Sequence, residues 1–251
     1  MSSTIFFLLM IFKLINATIP ECKVEGNEIC SLVTPYDKNV PPSTEDQPIP
    51  IKVGVELFHI SDIDEEKHTI TIVGYISLSW VDPRLKLPNI TLGIDQTQVL
   101  DAIWIPNTGF DNSVQVKSIP SMKLTGKKLF TSHSHLSIID TLAITFECKM
   151  NFAEFPFDQQ NCAFEVTGGF SSAKVVLNQI SLSTRQGPNI IETSSPNGVT
   201  SFNSSGLPFE VQLKTSKPSL IVANDWTMQR VTLDFHLVRK SEEFHKLLCS
   251  Y

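Results

Sequence analysis

The sequence lacks the features that mark a nucleic-acid binder, a metalloprotein or a common hydrolase. Its 20 Lys and Arg stand against 26 Asp and Glu, for a formal net charge of −6 and a pI near 5.5. The basic footprint of a nucleic-acid partner is absent. There is no Gly-rich phosphate loop, no Gly-x-Ser-x-Gly elbow and no His-Glu-x-x-His, so neither an enzyme nor a cofactor is expected. His133-x-His135 would put two imidazoles on one face of a strand, but no third ligand is in view, and the pair reads as solvated histidines. Asp62, Asp64, Glu65 and Glu66 form an acidic turn that lacks the glycine and terminal glutamate of an EF-hand loop. No metal site is expected. Beyond the first residues no stretch approaches the roughly 18 apolar residues of a membrane helix, and no internal repeat is visible.

The chain opens on an unbroken apolar run from Ile5 to Phe12, too short to span a bilayer. It has the character of a secretory h-region, with small Ala17 as the cleavage position, although the n-region carries no Lys or Arg. Residues 1–17 are read as a signal peptide and the secretory pathway as the route. Secretion makes disulfides available to the five cysteines; two close pairs, Cys22/Cys30 and Cys148/Cys162, would leave Cys249 over. The sequons at Asn89 and Asn203 suit surface loops of a glycosylated protein.

Residues 18–50 are rich in Pro, Glu, Asp, Asn and Ser and read as an irregular leader with a short helix around Glu28–Val33. From Ile51 the pattern turns two-fold. Ile70, Ile72, Gly74, Ile76, Leu78 and Trp80 alternate, as do Leu136, Ile138, Asp140, Leu142, Ile144 and Phe146, and again Val231, Leu233, Phe235 and Leu237. Such alternation marks strands with one buried face. Turn clusters separate them, and the whole reads as an all-β antiparallel sandwich. Residues 183–206, poor in large apolar residues, read as a long mobile loop.

Cys148 and Cys162 enclose thirteen residues that include Phe152, Phe155, Pro156, Phe157 and Asp158. Closing a loop of about 15 residues contributes on the order of 3 kcal/mol. Pro156 after an aromatic residue suits a cis-proline turn. The three phenylalanines give the loop an apolar surface suited to docking on another body.

This stretch resembles the signature loop of the Cys-loop (pentameric ligand-gated ion channel) receptors in its cysteine spacing, in Met150 and Phe152, and in Phe155-Pro156 with Asp158. Further matches follow in order: Trp80-Val-Asp82-Pro-Arg84-Leu85, Ile103-Trp104-Ile105-Pro106, Gly206-Leu207-Pro208-Phe209, and the strand ending at Arg239-Lys240. The resemblance implies a ten-stranded, immunoglobulin-like sandwich with a short N-terminal helix, its ligand-binding domain spanning residues 51–245. It further implies assembly with other subunits, the same or different, into a ring, with a small transmitter-like ligand at each subunit interface. The Phe155–Asp158 loop and the first inter-strand turn would couple binding to gating. Trp80, Asp82, Arg84, Trp104 and Pro106 would be structural. Residues 246–251 would begin the first membrane helix, placing the domain on the extracellular side of the plasma membrane.

The ring-rich ligand positions of the family match unevenly. The loop A tyrosine falls on Asp111 beside Phe110, the loop B aromatic on Gly169 beside Phe170, and the loop C tyrosine on Met228 near Trp226. Tyr75 stands five residues before Trp80, where the family places a loop D aromatic. Tyr75, Phe110, Phe170 and Trp226 are therefore the candidate ligand residues, with core packing as the alternative role. Acetylcholine held by the usual principal face is not the expected ligand. A soluble transmitter-binding protein and a non-binding accessory subunit remain open as alternative functions, the aromatic Phe155-Pro156-Phe157 surface weighing against the first.

Overall fold

The three alternating stripes become the central strands of two packed sheets. A computed structural model of the chain describes residues 36–43, 47–85, 87–94, 100–101, 103–119, 128–168, 175–178, 180–186, 189–193, 199–223 and 226–240. In chain order the strands are β1 (Ile49–Asp64), β2 (Thr69–Val81), β3 (Leu87–Ile94), β4 (Thr108–Phe110), β5 (Ser113–Ser118), β6 (Lys128–His133), β7 (His135–Glu147) and β8 (Gln159–Gly168). There follow β9 (Val175–Leu177), β10 (Ser181–Gln186), β11 (Asn189–Thr193), β12 (Thr200–Phe202), β13 (Phe209–Thr215), β14 (Ser219–Ala223) and β15 (Trp226–Arg239). Among the described residues no helix is long and apolar enough to cross a membrane.

One sheet runs β11-β10-β1-β2-β7-β6-β3, with β5 also on β7 and β9 on β1; the other runs β12-β13-β15-β8-β4, with β14 also on β15. The expected all-β sandwich is the fold. Ile70, Ile72, Ile76 and Trp80 of β2 turn inward, as do Leu136, Ile138, Leu142, Ile144 and Phe146 of β7. Val231, Leu233, Phe235 and Leu237 of β15 meet them from the opposite sheet. Each such burial contributes about 1.5–3 kcal/mol, so the stripes decide which face of each strand points in. Phe146 of the larger sheet joins Phe164 and Phe235 of the smaller at ring separations of 5.6 and 5.4 Å. The polar break in the β7 stripe is answered locally, since the Ser118 hydroxyl donates to Asp140 Oδ1 at 3.1 Å.

Two expectations are corrected. Residues 183–206 are not one long loop: β11, β12 and most of β10 lie within them, recruited by pairing of β10 to β1, β11 to β10 and β12 to β13 rather than by apolar alternation of their own. His133 and His135 do not lie on one strand either, because His133 ends β6 and His135 begins β7 across a hairpin turn at Ser134. The expected signal peptide, N-terminal helix, Cys22, Cys30 and Cys249 lie outside the described residues.

Candidate functional site

The tryptophan near the end of β2 and the aspartate just after the strand are both buried. Trp80 and Trp104 are buried and pack edge to face at 6.1 Å, and Pro106 is buried beside them in the chain. Asp82, fully buried, accepts Arg84 Nε and Nη2 at 2.9 and 2.8 Å and the Tyr36 hydroxyl at 2.9 Å. The Tyr36 oxygen in turn accepts the Trp104 amide at 2.7 Å, and the Arg84 guanidinium lies 4.5 Å over the Tyr36 ring. Burial pushes the Tyr36 phenol well above its ordinary value. Arg84 Nη1 reaches the carbonyls of Asp37 and Val40, so this node fastens the end of the leader to the sandwich.

At the other end of the sandwich, Cys148 follows β7, Cys162 lies in β8, and the two are disulfide-bonded with Cα atoms 5.1 Å apart. The bond joins the two sheets. The enclosed loop carries a cis Phe155–Pro156 peptide bond, and presents Phe155 and Phe157 to solvent at 50% and 72% exposure. Asp158, by contrast, is 1% exposed. Its carboxylate accepts Arg239 Nε at 2.5 Å, Arg239 Nη2 at 3.1 Å and Gln160 Nε2 at 2.6 Å. Arg239 closes a second ion pair with Glu65 of the turn between β1 and β2, at 2.8 and 3.0 Å. Its guanidinium also stands 4.5 Å from the Phe209 ring and 4.9 Å from Phe155. Burial works against the Asp158 charge, but the bonds from Arg239 and Gln160 outweigh it and hold the carboxyl below its usual range. The Glu65 bond, against burial, raises Arg239 further. His68, in the left-handed region at φ 54°, adds a second tether: its carbonyl accepts the Cys148 amide and its Nδ1 the Met150 amide. Sequence reasoning had Asp158 and the acidic turn but not Arg239 as their common partner. An arginine at the end of a strand with an apolar stripe was the available signal.

Of the four candidate ligand residues, Phe110 and Trp226 belong to strands of the smaller sheet and Tyr75 to the larger. On the smaller sheet, register aligns Phe110 of β4, Val166 of β8 and Val231 of β15. Phe110 leans on the core, 5.4 Å from Phe164, and Thr167 donates to Asp111 at 2.7 Å. Phe170 and the side chain of Trp226 lie outside the described residues. Tyr75 stands apart on the outer face of the larger sheet, opposite Glu56 of β1 and Thr141 of β7. Its ring meets Phe58 edge-on at 4.6 Å. Next to it is a cavity of about 320 Å³ floored by β1, β2 and β10. Asn203 is exposed, while the Asn89 side chain is outside the described residues.

A family model, the neurotransmitter-gated ion-channel ligand binding domain, matches residues 25–241. The chain belongs to this family, which is one of receptors and not of enzymes. It is 28% identical over 138 residues to the gamma-aminobutyric acid receptor subunit beta-4 of Gallus gallus, covering 54% of this chain. It is 30% identical over 138 residues to the acetylcholine receptor subunit alpha-type des-2 of Caenorhabditis elegans, covering 52%. A gamma-aminobutyric acid receptor subunit rho-3 of Rattus norvegicus is 27% identical over 52%. The matched stretch spans 25–29% of the length of these relatives.

Proposed function

We propose that the chain acts on the extracellular side of the plasma membrane as the ligand-binding part of a receptor subunit. A small transmitter-like molecule binds where the edge carrying Phe110, Phe170 and Trp226 in one subunit meets the Tyr75 face of the next. The observation that carries this reading is the Arg239 cluster. One guanidinium holds the Cys148–Cys162 loop, the β1–β2 turn and the end of β15 together, where a membrane-spanning part would follow. Displacing any of the three disturbs a buried, paired charge, which suits transmission of a binding event. The separation of Tyr75 from Phe110 on opposite sheets supports a site split between neighbouring subunits. The exposed Phe155 and Phe157 support docking on a further apolar body and weigh against a freely soluble carrier.

Glu65→Gln in the full-length subunit tests the coupling without stripping Asp158 of its partner. Binding of γ-aminobutyrate or acetylcholine is expected to stay within about twofold, and the evoked maximal current to fall by about tenfold. Full current would remove the Arg239 cluster from the coupling path. Tyr75→Ala is expected to weaken binding itself.

A further inference from the structure

Among the described residues His68 is the one non-glycine residue with a positive φ, at 54°. The left-handed region is uncommon for side-chain-bearing residues, although histidine enters it more often than most. A residue stays there only where surrounding contacts over-determine it. At His68 two of these are hydrogen bonds from one segment. Its carbonyl accepts the Cys148 amide at 2.8 Å, which carries the β2–β7 ladder one step past Thr69 and Glu147. Its Nδ1 accepts the Met150 amide at 3.1 Å. The ring also meets Phe152 at 5.8 Å.

The second bond fixes the protonation state of the ring. A backbone N–H only donates, so Nδ1 presents its lone pair and the imidazole is neutral with its hydrogen on Nε2. A proton added at Nδ1 would set two donors against each other and end the bond. Met150 is buried, and a buried N–H without an acceptor is costly, so ring and loop would have to part. The carbonyl bond has no such dependence. His68 itself is exposed, within reach of solvent protons.

The charges around it come from three elements. On its own turn Lys67 pairs with Asp64, Glu65 pairs with Arg239, and Glu66 is exposed. Glu147 ends β7, and Lys149 and Glu154 lie in the loop. Arg239 of β15 stands 6.0 Å from the same Phe152 ring. Carboxylates and lysines ordinarily titrate well outside the range from about pH 5.5 to 7.5, and an imidazole within it. Asp158, whose carboxyl lies below its usual range, keeps its bond to Arg239 there. Mild acid therefore acts on the His68 tether and spares the Arg239 one.

We infer that His68 is a proton-sensitive positioning residue. Neutral, it holds the Cys148–Cys162 loop to the β1–β2 turn; protonated, it releases that loop at Met150. The inference rests on the reading that this end of the sandwich transmits binding, and it adds acid as a second input to the junction.

The test follows hydrogen exchange of the Met150 and Cys148 amides in the full chain by NMR, at about pH 7.5 and about pH 5.5, corrected for intrinsic rates. In the wild type, Met150 protection falls by about tenfold or more in acid, while Cys148 protection moves by less than about threefold. His68→Asn keeps Met150 protected at both pH values, because its Oδ1 takes the place of Nδ1 and asparagine tolerates the left-handed backbone. His68→Gly keeps the backbone without the acceptor and leaves Met150 unprotected at both. No fall in the wild type, or an equal fall in His68→Asn, overturns the inference. In the full-length subunit, the maximal current evoked by γ-aminobutyrate or acetylcholine falls by about fivefold in acid, and by less than about twofold in His68→Asn. An acid response of the current that His68→Asn leaves unchanged also overturns it. Glu65→Gln separates the two readings. If that variant carries full current while Met150 still loses protection in acid, the proton-sensitive tether stands and the coupling path falls.

Discussion

At the scale of the residue, the most consequential side chain is Asp158. It is almost fully buried, and its charge persists because Arg239 and Gln160 satisfy it. Its folded-state pKa is depressed, so the carboxylate stabilises the fold at pH values above the unfolded value of about 3.9. That contribution is lost as pH falls through the lower, folded value. Asp158→Asn is therefore expected to be less stable than wild type at neutral pH, with the gap narrowing below about pH 4, as read by urea midpoints across pH. A gap that persists undiminished in acid would mean that packing, not charge, is what Asp158 supplies. Asp158 was legible in the sequence because it sits in a recognisable loop. Its partnership was not: Arg239 is 81 residues from Asp158 and 174 from Glu65, set beside the first by the pairing of β15 with β8 and beside the second by the packing of the two sheets. Arg185 and Glu56, 129 residues apart, meet through the parallel pairing of β10 with β1.

At the scale of the element, long strands with one buried face could be read directly, and short or bent ones could not. The β2, β7 and β15 stripes needed only period two. By contrast β11 and β12 owe their existence to partners, and nothing in Asn189–Thr193 or Thr200–Phe202 announces one. The β1–β2 pair shows a second kind of hidden information. Its register slips between Leu57 and His59 and again between Ile60 and Asp62, which bends β1 as a bulge does. The bend brings the Glu56 carbonyl over Gly74, where a Cβ would stand 2.3 Å from that oxygen. Gly74 sits in the apolar stripe for this reason, since no side chain fits. Gly74→Ala is expected to destabilise by about 1–3 kcal/mol through overpacking, measured by denaturant unfolding. An unchanged midpoint would show that the strand pair shifts at no cost. Because Glu56 carries Arg185, the same variant tests whether the bend also sets the geometry beside Tyr75.

At the scale of the whole molecule, the two sheets are fastened differently at their two ends. Near Trp80 the fastening is a polar node, Tyr36–Asp82–Arg84, that ties the leader down. At the opposite end a covalent bond and an ion-pair cluster act on one loop: Cys148–Cys162 links β7 to β8, while Arg239 links β15 and that loop to the β1–β2 turn. Closing a loop of this length is worth about 3 kcal/mol, but the two fastenings constrain the same residues and are not independent. With the disulfide gone, the Asp158–Arg239 pair still holds the loop; with the pair gone, the disulfide does. Cys148→Ser/Cys162→Ser is therefore expected to lose about 2–3 kcal/mol in a background that keeps Arg239. The further loss on adding Asp158→Asn should exceed that of Asp158→Asn alone by at least about 0.5 kcal/mol. Urea unfolding of the four proteins closes the cycle. Strict additivity would mean that the loop is held by each fastening separately. The end of the sandwich would then not move as one unit, which coupling through Arg239 requires.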